Sequence, residues 1–363
     1  MEFCNFEVKK ISEKNFQFLE YLGQGTYGQV VKARERATGK MVALKMMEKS
    51  KTKRTSFLEE LCTCIFLSSY HGIIFTHSSI VDCVDHYVLA QDLAPAGTLC
   101  ALIQPDVGIP EVMVRRCALQ LCGALEFMHS KQLVHRDLKP DNVLLMDKEC
   151  HQVKLSDFGL TQKVGTPVPF MSPIIPYMSP ELCNLRPTET ITNDVSVDIF
   201  ALGVLLFVAF SGKFPWRKAV EQDQLFRKFV CWQNGVDHVP PPKHWENFNG
   251  AAQELFHVLL CQDPKARSLL SVPTYAEIPW GVEDILEQPF QLLFAEDGIQ
   301  EYNGEIIIIE AEDEYIIVEN HGDIECIIVD EATNESTSSP SQTTVMFLVD
   351  DTSLALGCEV EVT

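Results

Sequence analysis

The stretch LVHRDLKPDNVLL, at residues 133–145, constrains this chain more than any other part of its sequence. A carboxylate such as Asp137 can accept the proton of an attacking hydroxyl, and Lys139 can neutralise charge on a transferring phosphoryl group. Asn142, and Asp157 of the DFG that follows, carry oxygen atoms of the kind that hold Mg2+. Solvated loop residues would show this order only by coincidence, so the run predicts a site for phosphoryl transfer.

A glycine run, GQGTYGQV at residues 23–30, lies between two strand candidates. Such a turn lets backbone N–H groups approach a polyphosphate closely. Alone the run is weak, because glycine-rich hairpins are common and dinucleotide-binding folds share the spacing. A second strand follows it instead of a helix, which disfavours the dinucleotide interpretation. VALK then places Lys45 on an apolar strand, where a lysine either pairs with phosphates or is simply solvated.

The hydrophobic pattern changes along the chain. Residues 16–92 show short strand-like runs broken by glycine, with one helical stretch near residues 55–68. Beyond APAGTL the periodicity is helical, most clearly at 111–130, 194–210 and 251–260. This pattern predicts an α+β fold with a small sheet-rich lobe and a larger helical lobe.

Together these motifs make residues 16 to about 287 resemble the catalytic domain of eukaryotic protein kinases, over about three quarters of the chain. The resemblance implies a two-lobed fold that uses ATP and Mg2+, with Asp137 as the base. Lys139 and Lys45 complete the catalytic set, and Asn142 and Asp157 hold the metal. It also implies an ATP-binding set from the glycine run, the neighbouring strands and the hinge: Leu22, Gly23, Gln24, Gly25, Thr26, Tyr27, Gly28, Gln29, Val30, Ala43, Lys45, Glu60, Gln91, Asp92, Ala94 and Leu144.

Two parts of this ATP-binding set, the helix glutamate and the hinge, are placed by comparing their spacing with that of the kinase family. By spacing, Glu60 in SFLEEL is the helix partner of Lys45, with Glu59 as the other candidate. YVLAQDLAPAG, at residues 87–97, resembles the hinge that binds adenine through backbone groups. Gln91 then occupies the position that controls access to a back pocket.

Further residues match the family in a structural role. Glu181 and Arg267 stand where kinases place a buried ion pair, and Asp198 stands where an acid anchors the catalytic loop. Lys139 is typical of the serine/threonine class. CTCIFLSSYHGII, VLAQDLAPAGTL and the IPY before SPE resemble the SBK group, the SH3-binding serine/threonine kinases.

The segment MSPIIPYMSPE, at residues 171–181, departs from the family pattern. Ile174 replaces a threonine whose hydroxyl ties the substrate loop to the catalytic pair, and Pro173 removes a backbone donor. One lost orienting hydrogen bond costs about 1–3 kcal/mol, or roughly one to two decades in rate. We therefore expect an active serine/threonine kinase of modest rate. The alternative is a weak or inactive pseudokinase scaffold whose tail binds partners; a small-molecule kinase is a more distant alternative.

Control by phosphorylation is open at this level. Arg136 could meet a phosphate on Thr161, Thr166 or Ser172. An unmodified segment, stiffened by its four prolines between 167 and 176, is an equal alternative.

The C-terminal part is strongly acidic. No lysine or arginine follows Arg267, whereas 22 of the 51 acidic residues do, which leaves residues 1–267 with 29 acids and 29 bases. Such an end repels nucleic acid and anionic lipid and favours basic surfaces. A basic run, residues 48–54, could receive the tail and hinder the helix that follows, although a solvated loop is the simpler interpretation.

Three tail segments share one pattern. EIIIIE, EYIIVE and ECIIVD each place four mostly β-branched residues between acids, and they resemble SUMO-interacting motifs. Pairing with one another into a small acidic sheet, or disorder, is the simpler alternative.

These observations predict a short N-terminal lead (1–15), a kinase domain (16–290) and an acidic tail (291–363) that is largely disordered. The longest apolar run, residues 199–210, is too short to cross a bilayer, so we expect no membrane insertion. The 13 cysteines show no paired metal-ligand spacing, and we expect free thiols. We expect the protein in the cytoplasm, with the nucleus as an alternative.

Overall fold

A computed structural model describes residues 9–25, 28–169, 176–186, 188–235, 240–270, 272–277 and 279–281, and six strands between residues 299 and 360. The chain divides into two compact units, Met1–Leu286 and Glu287–Thr363. The first unit consists of a β-sheet region followed by a helical region, which fits the expected two-lobed fold.

The β-sheet region is built on a six-stranded sheet with strand order β1-β5-β6-β4-β3-β2. All neighbours are antiparallel except β1 and β5, which are parallel. The strands are β1 (Lys9–Ser12), β2 (Phe16–Gly25), β3 (Gly28–Glu35), β4 (Met41–Glu48), β5 (Thr76–Asp82) and β6 (His86–Asp92), and helix α1 (Arg54–Leu67) lies between β4 and β5 in the chain.

Strand β4 shows how the sequence directs side chains to the site. Val42, Leu44 and Met46 are buried on one face, where they pack into a small apolar cluster. Because side chains alternate along a strand, Ala43 and Lys45 lie on the opposite face and are only half-buried. The alternation therefore directs Lys45 away from the cluster.

Strand β1 lies in the part that we predicted to be a lead outside the domain. Its four residues pair in register with β5, from Lys9 with Ser79 to Ser12 with Asp82. The family resemblance begins after this strand, and a four-residue strand has little local signal of its own. Residues 9–12 are therefore part of the sheet.

The helical region contains the longest helices and three short strand pairs. Its helices are α2 (Leu99–Leu102), α3 (Glu111–Ser130), α4 (Pro180–Cys183), α5 (Ser196–Ser211), α6 (Gln224–Gln233), α7 (Gly250–Leu259) and α8 (Val272–Ala276). Strand β7 (Leu133–Val134) pairs with β10 (Gln162–Lys163), β8 (Val143–Leu145) with β9 (Val153–Leu155), and β11 (Pro167–Pro169) with β12 (Thr190–Thr192).

Helix α5 is the centre of this region. It is apolar on all sides, and its residues from Ile199 to Ala209 are buried, as expected for a helix inside a core. The helix ends at Gly212, whose φ of 64° is a conformation that glycine adopts without strain. Among the described residues, every helix is too short or too polar to cross a membrane.

The second unit contains an antiparallel sheet in which neighbours in sequence are neighbours in space. Its strands are β13 (Ile299–Tyr302), β14 (Glu305–Ile309), β15 (Tyr315–Asn320), β16 (Asp323–Asp330), β17 (Thr343–Phe347) and β18 (Cys358–Val360). Strands β14, β15 and β16 contain the three acid-flanked segments, with Ile317 opposite both Ile308 and Cys326. In the described strands these segments pair with one another, because runs of β-branched residues favour strands. This pairing differs from the largely disordered tail that the sequence predicts.

Candidate active site

Lys45 connects three elements at the face of the sheet. Its Nζ lies 2.6 Å from Oε1 of Glu60 on α1 and 2.7 Å from Oδ1 of Asp157, in the loop after β9. The lysine side chain is 18% exposed. One ammonium group therefore holds two carboxylates from distant parts of the chain in one place.

Of the two candidate partners of Lys45, the structure selects Glu60 and leaves Glu59 exposed. Phe57, Leu61 and Cys64 are buried on the inner face of α1. Glu60 shares that face, because residues three and four apart are neighbours on a helix, whereas Glu59 does not.

The charges of Lys45, Glu60 and Asp157 shift one another's pKa values. Burial alone would lower the pKa of Lys45, but Asp157 and Glu60 raise it well above its ordinary value. Burial raises the pKa of Glu60 against the opposing effect of Lys45, and the charge of Asp157 adds to the increase. Burial also acts on Asp157, but Lys45 keeps the pKa of that carboxyl below its usual range.

The loop after β7 positions Asp137, whose side chain is 9% exposed. Nζ of Lys139 lies 3.0 Å from one oxygen of this carboxylate and 2.9 Å from the other. Nδ2 of Asn142 donates to the main-chain oxygen of Asp137 at 2.7 Å and to its Oδ2 at 3.0 Å. Because its amide nitrogen is used inside the loop, the side-chain oxygen of Asn142 is the atom left for a ligand.

The carboxylate of Asp198, at the start of α5, anchors the main chain of this loop. Its two oxygens accept hydrogen bonds from the main-chain nitrogens of His135 and Arg136, both at 2.8 Å, and Oδ2 lies 2.9 Å from Nε2 of His129. Arg136 has a φ of 68°, an uncommon conformation for a non-glycine residue that these bonds hold in place.

Asp157 is fixed to the same loop through its neighbour. The main-chain nitrogen and the hydroxyl of Ser156 both donate to the main-chain oxygen of Asn142 at 2.9 Å. Nε2 of His135 lies 3.0 Å from the main-chain oxygen of Ser156. Asp157 itself has a φ of 62°. The two predicted metal ligands, Asn142 and Asp157, thus stand on backbones that are hydrogen-bonded to each other.

The glycine run forms the hairpin between β2 and β3. Gly23 pairs with Val30, and Gly25 pairs with Gly28. A Cβ at Gly28 would lie 1.8 Å from the main-chain oxygen of Met46, so this position requires glycine for a close approach. The tip residues Thr26 and Tyr27 lie outside the described residues.

The remaining predicted ATP-binding residues lie on the strands of the sheet, at the hinge and on β8. Val30 pairs with Lys45, and Ala43 pairs with Gln91 at the hinge strand β6. Leu22 is 46% exposed, which leaves its side chain accessible. Leu144, on β8, forms a bridge with Thr98 just after the hinge.

The side chains of Asp92 and Gln91, at the hinge, have polar partners within the sheet region. Oδ1 of Asp92 lies 2.8 Å from Nζ of Lys40, and Nε2 of Gln91 donates to Oγ1 of Thr76 at 3.0 Å. The main-chain oxygen of Ala94 accepts from Gly97. Sequence reasoning identified Gln91 but missed its partner Thr76, since nothing local links the two residues.

The predicted ion pair of Glu181 and Arg267 is present. Two guanidinium nitrogens of Arg267 contact the two carboxylate oxygens of Glu181 at 2.7 and 2.8 Å. The side chain of Arg267 is completely buried and lies over the ring of Phe200, 4.9 Å from its centroid. Glu181 thereby ties the end of the segment at residues 171–181 to the helical core.

The departures from the family pattern, Pro173 and Ile174, lie outside the described residues, as does Ser172. Before these residues, the chain is held by main-chain pairing of β10 with β7 and of β11 with β12. Nη1 of Arg136 donates to the main-chain oxygen of Leu160 at 3.4 Å. These contacts therefore fasten the chain between residues 160 and 169.

Comparison with known proteins agrees with this geometry. The family model described as "Protein kinase domain" matches residues 16–281. The chain is 45% identical to the mouse serine/threonine-protein kinase SBK1 over 70% of its own length and 61% of that protein. It is 41% identical to the zebrafish SBK1 (72% of this chain, 68% of that protein) and 38% identical to the human serine/threonine-protein kinase SBK2 (75% and 79%). The chain thus aligns with less than two thirds of the mouse protein.

Proposed function

Because the chain belongs to the protein kinase family and resembles the SBK serine/threonine kinases within it, we propose that it transfers the γ-phosphate of ATP to serine or threonine hydroxyls of proteins. One observation carries the proposal. Lys45 contacts Glu60 and Asp157 at the same time, while Lys139 and Asn142 hold Asp137 in the neighbouring loop. The groups that phosphoryl transfer requires are thereby aligned in one arrangement.

Asp137 is suited to receive the proton of the acceptor hydroxyl. Its carboxylate is held from one side by Lys139 and Asn142, and its backbone by the loop anchored on Asp198. A base fixed in this way loses little freedom when an acceptor hydroxyl arrives. The ammonium group of Lys139, beside the same carboxylate, can then offset negative charge that develops during transfer.

The residues present fit ATP and Mg2+. Asp157 offers a carboxylate and Asn142 an amide oxygen, and Mg2+ prefers a few such oxygen ligands together with phosphate oxygens. Bound Mg2+ neutralises phosphate charge. Lys45 offers an ammonium group to the phosphates, and the β2–β3 hairpin offers close backbone approach at Gly28.

The test uses the full chain with γ-labelled ATP, Mg2+ and a degenerate serine/threonine peptide library. We expect transfer that disappears when Mg2+ is removed and falls by about two or more decades in Asp137→Asn, because general-base catalysis contributes that much. Asp106→Asn is the matched control, since that carboxylate lies on an exposed loop. Equal activity of Asp137→Asn and the wild-type chain would contradict the proposal.

An inactive scaffold is the alternative function; in the sequence Pro173 and Ile174 favour it, and both lie outside the described residues. The described site retains the base, the lysines and both proposed metal ligands. ATP binding without measurable transfer by the wild-type chain would revive the alternative and direct attention to Pro173 and Ile174.

We also propose that the acid-flanked segments of the tail bind a SUMO-type protein by strand addition, on the strength of their sequence pattern. Strand β15 pairs with β14 and β16, so an incoming strand has to displace one of these neighbours. Titration of the full chain into isotopically labelled SUMO, with Ile316→Ala as comparison, checks this. An unchanged SUMO spectrum would rule the interaction out.

A further inference from the structure

Thr76, the first residue of β5, is a buried polar residue for which the expected chemistry has no role. It is 2% exposed and pairs in register with Gln91 on β6. Burial of a hydroxyl is unfavourable unless the group is hydrogen-bonded. The partners of Thr76 therefore indicate what the residue does.

The side chain of Thr76 faces the hinge strand. Nε2 of Gln91 donates to Oγ1 of Thr76 at 3.0 Å. The hydroxyl of Thr76 is therefore bonded to the strand that forms the hinge.

The hydrogen bonds of Thr76 lead, through Ser68, to Cys64 on α1. Cys64 is completely buried and follows Glu60 by one helical turn, on the same face of α1. A contact with this turn of the helix therefore bears on the position of Glu60.

The main chain of Thr76 makes a separate connection to the same helix. Its nitrogen donates to Oγ of Ser68 at 2.9 Å, and that hydroxyl donates to the main-chain oxygen of Cys64 at 2.7 Å. Ser68 is the C-terminal cap of α1. The side chain of Thr76 is therefore bonded to the hinge strand, and its backbone to the C-terminal end of α1.

The N-terminal end of α1 lacks the polar groups that usually stabilise the start of a helix. Its N-cap, Lys53, makes no side-chain capping bond, and its first turn has no acidic residue. A basic first turn is unfavourable beside the positive end of a helix dipole. The position of α1 relative to the sheet must then depend largely on its buried face and its C-terminal end.

We propose that Thr76 is a positioning residue for catalysis: it fixes α1 against the hinge strand, so that Glu60 meets Lys45. This inference rests on the proposed kinase function for its kinetic consequences, but not for its structural ones. Thr76 does not act on the substrate, and its effect passes through the contact between Glu60 and Lys45.

The test compares Thr76→Val with Thr63→Val in the full chain. Thr63 is also buried (3% exposed) on α1, but its hydroxyl donates at 2.8 Å only to Glu59, within the helix. We expect Thr76→Val to lower kcat/KM for ATP about tenfold, which is the effect of one lost orienting interaction, and Thr63→Val to stay within about twofold of wild type. Thr76→Ser, which keeps the hydroxyl, should recover most of the activity.

A double variant separates positioning from general damage. When Thr76→Val is added to Glu60→Gln, kcat/KM should fall by less than about twofold relative to Glu60→Gln alone. The reason is that Thr76 acts through the contact between Glu60 and Lys45, which Glu60→Gln has already weakened. A full tenfold loss in that background, or equal behaviour of Thr76→Val and Thr63→Val, would overturn the proposal.

Amide deuterium uptake in residues 54–67 gives a readout that needs no activity. We expect faster uptake across α1 in Thr76→Val than in Thr63→Val. A wild-type chain without transfer would contradict the proposed function, while the uptake comparison would still test the role of Thr76. Should Thr76→Val fail to fold, Ser68→Ala removes the main-chain connection and is expected to raise uptake in α1 in the same way; unchanged uptake would refute the inference.

Discussion

The loop around Asp137 and the helix that carries Glu60 meet at one site but are held by different means. Beneath the loop, Asp198 is 1% exposed and accepts two main-chain hydrogen bonds. Helix α1 has no comparable hydrogen-bonded anchor at its N-terminal end, where Lys53 makes no side-chain capping bond and the buried residue is the apolar Phe57. On the inner face of the helix, Glu60 is held by one ion pair with Lys45.

This difference indicates which half of the site is adjustable. Buried groups with several partners are costly to disturb, because each lost bond leaves another buried group unsatisfied. A helix held by a few contacts can shift while the rest stays folded. Changes beneath the loop should therefore lower the stability of the whole domain, and changes around α1 should mainly lower activity.

The largest effect on stability is expected for Arg267→Ala. This change leaves Glu181 without its bidentate partner and removes the bond from Nε of Arg267 to Cys261. Loss of one member of a buried ion pair costs about 3–5 kcal/mol in the free energy of unfolding. Urea denaturation of Lys265→Ala, an exposed residue on the same turn, serves as control and should differ from wild type by about 0.5 kcal/mol or less. A cost below that of the control would contradict the anchoring role.

A somewhat smaller effect, about 2–3 kcal/mol, is expected for Asp198→Asn, because a neutral amide cannot replace two charge-assisted acceptors. The pH dependence sharpens the prediction. Burial alone would raise the pKa of Asp198, but hydrogen bonds and the charges of His129 and His135 hold it below its usual range. The carboxylate thus stabilises the fold fully above its ordinary pKa of about 3.9 and loses this contribution as the pH falls through the lower folded value.

The measurement for Asp198 is the free energy of unfolding between about pH 5 and about pH 2. The wild-type chain should lose more stability over this interval than Asp198→Asn. If the free energy of unfolding fell equally with pH in both proteins, the pKa of Asp198 would be the same in the folded and unfolded states, and the prediction would be wrong.

A third change tests the sheet side of the site. Gly28→Ala places a methyl group 1.8 Å from the main-chain oxygen of Met46, and forcing such a contact costs about 1–3 kcal/mol. Gly23→Ala is the matched control for stability, since nothing lies within 4 Å of a Cβ there. Thermal unfolding followed by circular dichroism compares the two. Similar unfolding temperatures would show that the hairpin moves away without cost.

The smallest effect on stability, about 1 kcal/mol or less, is expected for Glu60→Gln, because burial already disfavours the charge of Glu60 and Lys45 keeps its contact with Asp157. Activity should fall at least about tenfold, since α1 no longer holds the lysine by charge. Glu59→Gln, one residue away and exposed, should match wild type in both measurements. A loss of stability without a loss of activity would reverse the comparison between the two halves.

The residues that carry the chemistry were accessible from the sequence, because phosphoryl transfer requires particular side chains at short spacings. Lys45, Asp137 and Asn142 belong to motifs that can be recognised without a fold. Their roles remain predictions, while the structure shows that the motifs converge.

The choice between Glu59 and Glu60 was also present in the sequence. Phe57, Leu61 and Cys64 mark the buried face of α1, and only Glu60 shares their spacing. Applying the helical period to this short stretch would have decided the register.

Other features could not be predicted in this way. Thr76 gains its importance from contacts with Ser68 and Gln91, and Gln91 is 15 positions away. The parallel pairing of β1 with β5 joins residues 70 positions apart, from Lys9 to Ser79. Such long-range contacts depend on how the whole chain folds, and no local pattern encodes them.

The position of β1 has a practical consequence for protein production. A chain shortened to begin at residue 16, where the family match starts, would lose this strand and bare the hydrogen-bonding edge of β5. Uncovered edges recruit strands from other molecules and promote aggregation. Poor solubility of such a shortened protein would therefore reflect an unprotected sheet, and retaining residues 9–15 is the direct remedy.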